Sequence, residues 1–117
     1  MLGLPQAGDM FKISNTAQGT RREAHGDKSW RPHGVVLASP DGLVNVVARS
    51  SQTPDCLPRD FRSCAEPTIR LDRDGFFSMR WYKSFTAAVL TDGTKAEYLG
   101  LLVEPQNSGF QDWAERQ

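Results

Sequence analysis

The sequence predicts a small, mainly β domain: an antiparallel barrel with small helices and a short C-terminal helix. Three observations predict it. Two nearly continuous β-branched runs, Val35-Val36-Leu37 and Leu43-Val44-Asn45-Val46-Val47-Ala48, are joined by a turn, Ser39-Pro40-Asp41-Gly42. Further short apolar runs are separated by Gly and Pro turns. The last stretch, Ser108 to Arg116, reads as a helix, with Ser108 and Gln111 at capping-box spacing. A chain of 117 residues is one domain, 1–117, and is long enough to bury a core without metals or disulfides.

Taken in order, Gly8 to Ser14 is a first strand, with Met10, Phe11 and Ile13 as its apolar residues. Asn15 to Ser29 is long, polar and without periodicity, a loop of the length that usually carries function or disorder. The hairpin from Trp30 to Gln52 follows. Pro40 presets φ for its turn and Gly42 accepts φ > 0. Its apolar runs are so continuous that both strands are expected to be buried on both faces. Thr53 to Pro67 is expected to be irregular, with three prolines. Thr68 to Leu71 and Phe76 to Met79, around Asp72-Arg73-Asp74-Gly75, are expected to form a second hairpin. Trp81 to Phe85 continues as strand, Thr86 to Leu90 suits one helical turn, and Asp92-Gly93 is a turn. Lys95 to Val103 is expected to be the last strand, although its composition also suits a helix.

Composition limits the function. The formal net charge is zero and there is no basic tail. A sequence-blind electrostatic nucleic-acid binder is therefore not expected, whereas a compact RNA site with a few local cations remains open. No segment approaches the roughly 18 apolar residues of a membrane span, and Met1 to Asp9 lacks the pattern of a signal peptide. A cytoplasmic protein without membrane contact is expected. Cys56 and Cys64 lie in a polar stretch and read as free thiols. No Cys or His partners stand at zinc spacing, so no metal or cofactor is expected.

The hairpin suggests where chemistry sits. Antiparallel pairing brings Arg31, at the start of one strand, beside Ser50, at the end of the other. A guanidinium matches two phosphate oxygens. Ser50 either donates a hydrogen bond to the same phosphate or caps a strand end. His33 shares a face with Arg31 by alternation. It is either an acid or base or a strand histidine with a satisfied hydrogen bond. Trp30 and Trp81 are either stacking platforms for unpaired bases or core and dimer contacts. Arg21, Arg22, Lys28 and Arg49 either touch phosphates or form a solvated face. His25 reads as solvated, and no Ser-His-Asp constellation is legible.

The order of Gly8-Asp9, a long loop, Arg31-Pro32 with Val35-Val36-Leu37, Val46 to Gln52, Trp81 to Phe85, and Tyr98-Leu99-Gly100 resembles the MazF/PemK family of toxins. These belong to bacterial type II toxin–antitoxin pairs. The likeness covers most of the chain, and its specificity lies in order and spacing. It implies an SH3-like barrel, usually a homodimer with Trp81 or Phe85 as apolar contacts. It implies a metal-independent endoribonuclease that cuts single-stranded RNA at short sequences. It also implies a cognate antitoxin whose extended tail occupies the RNA groove. The family's arginine before proline falls on Arg31. Its strand-end threonine falls on Ser50, with Ser51 as the other register. The catalytic candidates are then Arg31, Ser50 and His33. The RNA-binding candidates are Arg21, Arg22, Lys28, Arg49, Ser51, Gln52, Trp81 and Lys83.

The chain departs from the pattern in places. Serine replaces threonine at Ser50. The family's acidic-Gln pair has no clean match, Glu23 and Asp27 being the nearest. Trp81 stands for a glutamine, Lys83 for an arginine, and His33 for an apolar residue. Two other functions compete: a non-catalytic SH3-like module binding a protein or nucleic-acid strand, and a small structural adaptor.

Overall fold

The computed structural model describes residues 5–14 and 30–117. Six strands form one antiparallel sheet: β1 (Asp9–Ser14), β2 (Trp30–Ala38), β3 (Leu43–Ser50), β4 (Phe61–Ser63), β5 (Gly75–Thr86) and β6 (Ala96–Leu101). Two helices accompany it, α1 (Ala87–Leu90) and α2 (Gln106–Glu115). The strand order is β4-β5-β3-β2-β1-β6, curled into a half-barrel whose edges are β4 and β6. The mainly β fold with a short C-terminal helix is the expected one.

The β2–β3 hairpin lies at the centre and turns where the sequence places it. Gly42 has φ 91°, and its N–H donates to the Ser39 carbonyl at 3.0 Å. Asp41 Oδ1 accepts the Leu43 N–H at 3.2 Å. Burial on both faces holds only mid-strand, at His33 to Val35 and Val46 to Arg49. Nearer the turn, Leu37 and Leu43 are exposed.

Each face of the sheet has its own core. One gathers Phe11, Ile13, Val35, Val44, Val46, Phe85, Leu90 and Ala96. It is closed by α1, where Thr86 Oγ1 accepts the Val89 N–H as an N-cap. The other gathers Met10, Val47, Ile69, Leu71, Phe77, Leu102 and Phe110 under α2. Gly34 makes that packing possible. A Cβ there would stand 2.9 Å from both Phe110 and Phe77, so the helix ring sits directly on β2 backbone.

Three expectations are corrected. Thr68 to Leu71 is not a strand. Pro67 starts a single 3-10 turn over Pro67–Ile69, Arg70 adopts φ 62°, and only an isolated Glu66–Leu71 bridge follows. A proline has no N–H and a fixed φ, which favours the turn over a ladder. The partner of β5 is instead β4, inside the stretch expected to be irregular. Phe61 draws it there by packing on Phe77, Phe110 and Trp113. The terminal helix also starts earlier, at Gln106, with Pro105 at the N-cap position. Ser108 lies inside its first turn, where the Glu104 carboxylate accepts the Ser108 N–H at 2.7 Å and its hydroxyl at 2.6 Å. The first turn is thus capped by a carboxylate, which also suits the positive end of the helix.

Candidate functional site

Arg31 enters the sheet through β1, where it pairs with Ile13. On the other side, the β2–β3 ladder ends at His33–Ala48. Continuing that register by two residues sets Arg31 across from Ser50. Ser50 itself pairs with Phe76 of β5. The β3–β5 register shifts between Val47–Tyr82 and Arg49–Phe77, so β5 bulges across Ser78 to Trp81 opposite Ala48. Following the pairings, Arg31, His33, Ser50, Phe76 and Lys83 share one face of the sheet, and Trp81 packs against Phe76 there. This is the face opposite α2.

The side chains on it differ in access. Arg31 is exposed, whereas Ser50, Trp81 and Lys83 are half-buried. Ser50 Oγ accepts the Gln52 N–H at 3.0 Å. That is the strand-end cap anticipated as one alternative, and it leaves the hydroxyl proton able to point elsewhere. Trp81 lies 5.5 Å from the Phe76 ring, and the Arg80 guanidinium stands 4.8 Å over its ring. Ser51 and Gln52 follow β3 as exposed residues.

His33 is fully buried at 0% exposure. Its Nδ1 lies 2.9 Å from the Arg31 carbonyl. A carbonyl only accepts, so Nδ1 carries the proton. Nε2 is buried with no hydrogen-bond partner among the described residues. The ring meets Phe85 edge-on at 6.5 Å. Its pKa is lowered from 6.5 to about 4, chiefly by desolvation and also by the Lys83 and Arg31 charges, against the raising effect of the backbone bond. The imidazole is therefore neutral at ordinary pH and closed off from solvent.

Arg49, expected among the RNA contacts, is held in the interior instead. It is buried on the opposite face, paired with Phe77. Its Nε donates to Ser63 Oγ at 3.0 Å. Its Nη2 reaches the carbonyls of Ser63 (3.3 Å), Cys64 (3.3 Å) and Arg73 (2.7 Å). Desolvation lowers its pKa, opposed by the Glu66 and Asp74 carboxylates. The guanidinium ties β3 to β4 and to the loop before β5. Phe85 is likewise a core residue, not a surface contact. Arg21, Arg22, Glu23, His25, Asp27 and Lys28 lie outside the described residues.

Sequence reasoning missed Arg80. Its Nε donates to Ser78 Oγ at 2.9 Å and its Nη2 to Asp60 Oδ2 at 3.0 Å. Burial alone would raise the Asp60 carboxyl. Hydrogen bonds from Leu57 and Ser78 and the Arg80 charge outweigh it and hold that carboxyl below its usual range. No periodicity signal marks Arg80, because the β5 bulge breaks the alternation there.

Both cysteines are free thiols. Among the described residues, no three His, Cys, Asp or Glu side chains gather to hold a metal ion, and no helix is long and apolar enough to cross a membrane. No protein-family model matches the chain, and no curated protein sequence matches it either.

Proposed function

We propose that the chain is a metal-independent endoribonuclease acting on single-stranded RNA, a toxin of the MazF/PemK type held in check by a cognate antitoxin. The observation that carries this reading is the exposed Arg31 sharing one sheet face with Ser50, Trp81 and Lys83. In the reaction, the ribose 2′-oxygen attacks the neighbouring phosphorus and gives up its proton. The P–O5′ bond breaks, a 2′,3′-cyclic phosphate forms, and the 5′-oxygen leaves with a proton. Arg31 supplies a fork of N–H donors for the phosphorane, whose extra charge it stabilises more than the ground-state phosphate. The Ser50 hydroxyl donates a second hydrogen bond. Trp81, packed on Phe76 and under the Arg80 guanidinium, lines the same face, and Lys83 adds positive charge along it. A second copy of the chain is proposed as the partner in a homodimer.

The runner-up is a non-catalytic module binding a single strand on the same face. The burial of His33 favours it, because the only histidine among the described residues is withdrawn from proton exchange with a ligand. The two readings separate in one experiment: incubation with a long single-stranded RNA in the presence of a chelator, with mapping of new ends. Cyclic-phosphate ends support the nuclease. Retention of intact RNA supports the module. Loss of cutting with chelator and its recovery with magnesium overturns the metal-independent mechanism.

A further inference from the structure

We infer that His33 is a positioning residue for Arg31, acting through its Nδ1–H bond to the Arg31 carbonyl. This rests on the reading of Arg31 as the phosphate-binding group, but it concerns how the chain holds that group in place. The backbone at Arg31 is supported unevenly. It pairs with Ile13 of β1, whereas the β2–β3 ladder stops two residues further in, at His33–Ala48. The next residue, Pro32, has no N–H to extend a ladder. Among the described residues, strand pairing would tether the end that carries the exposed guanidinium on one side only. The imidazole bonded at 2.9 Å to the Arg31 carbonyl supplies an additional restraint.

The surroundings of His33 suit a holding role. The ring is fully buried and packed edge-on against Phe85, so its rotamer is fixed by the core. Its second nitrogen is buried without a partner among the described residues, an unfavourable state for an acceptor. A residue present only to fill space would be better apolar, since it would leave no acceptor orphaned. What the histidine adds over an apolar ring is the single bond to Arg31.

Two substitutions separate bonding from filling. His33→Phe keeps a ring and removes both the bond and the orphaned acceptor. His33→Asn keeps an N–H at the position of Nδ1 and leaves a small cavity. For each, melting temperature, RNA cleavage kinetics and ¹⁵N relaxation of the Arg31 backbone amide are measured on the full chain. Positioning requires His33→Phe to lose on the order of 10- to 100-fold in kcat with little change in KM, the scale expected when a reacting group is misplaced by about an ångström. Its Arg31 amide should gain mobility although its melting temperature holds. His33→Asn should keep more activity and a more ordered Arg31 despite melting lower. Activity and Arg31 order that simply follow melting temperature across the variants overturn the inference. Should the native chain leave RNA intact, the nuclease reading fails, and the relaxation of Arg31 alone still decides whether His33 holds it.

Discussion

Arg31 and Arg49 are both arginines on central strands, and the fold gives them opposite environments. Arg31 is exposed at a strand end, whereas Arg49 faces the interior and satisfies four acceptors. Their difference is one of parity: a residue one step along a strand turns to the other face. Arg49→Ala removes a buried charge that neighbouring carbonyls depend on, and should cost about 3 kcal/mol in urea unfolding, in the range for breaking buried charged contacts. Arg49→Lys should recover only part, since an ammonium cannot fork toward all four acceptors. Arg31→Ala should instead leave unfolding nearly unchanged and lower RNA cleavage by about 10²–10³, the usual loss for one preorganised donor. The same residue-scale logic gives a pH dependence. Folding lowers the His33 pKa from 6.5 to about 4, so the unfolded chain takes up the proton first as pH falls. The stability linked to the neutral ring is fully present above 6.5 and is lost as pH falls through about 4, in total on the order of 3 kcal/mol. The Lys83 and Arg31 charges act on the ring in the same direction as its burial. Comparing unfolding free energies of native chain and His33→Phe at neutral and mildly acid pH isolates this contribution. A gap between them that does not change with pH would contradict it.

At the scale of elements, the central hairpin was legible because its signals agree: β-branched runs, a Pro-Asp-Gly turn, and polar ends. The first strand and the helical turn at Ala87–Leu90 were also legible, and the last strand reads as a strand although its composition suits a helix as well. The partner of β5 was not. β4 is only Phe61–Ser63, three residues, too short to show a period, and its pairing is decided by where the Phe61 ring packs rather than by local propensity. The burial of His33 and Arg49 was also hidden, since residue type alone does not say whether a polar side chain finds partners inside. Which residues share the candidate face followed from alternation, up to the β5 bulge that moves Arg80 and Trp81 out of step. Helix α2 was legible as a helix but not in its close approach to the sheet, which depends on Gly34. Gly34→Ala places a methyl 2.9 Å from Phe110 and Phe77 and 3.3 Å from the Met10 sulfur. Overpacking of this kind typically costs about 1–3 kcal/mol. It should lower the thermal midpoint and loosen α2 first, seen as faster hydrogen exchange at Phe110 than at Val46.

At the scale of the whole molecule, the two faces of the sheet divide the work. The face with Arg31 and Ser50 carries the polar candidates, whereas α2 covers part of the other. Near the hairpin turn that second face carries exposed apolar side chains. Leu37 is 55% exposed, Leu43 43% and Tyr82 46%. The pairings Leu37–Asn45, Asn45–Ser84 and Val47–Tyr82 put all three side chains on that face. A patch of large apolar side chains grouped on one sheet surface is unlike the scattered exposure of an ordinary monomer. These residues, rather than the buried Phe85, are the contacts proposed for the homodimer. A two-fold interface pairs the same patch on both copies, so one substitution acts twice. Light scattering at micromolar concentration should find twice the 13.0 kDa chain mass for the native protein. Leu43→Lys, whose ammonium stays solvated in the monomer, should shift the distribution to the single-chain mass without lowering the thermal midpoint at high dilution. A native chain that scatters as one copy over the whole concentration range rejects the dimer. A Leu43→Lys variant that remains fully dimeric moves the interface off this face. Because Arg31 lies on the opposite face, RNA cleavage per chain in the monomeric variant then tells whether one copy is sufficient to hold the strand. Unchanged kcat with raised KM would mean that the second copy contributes to the groove but not to the reacting phosphate.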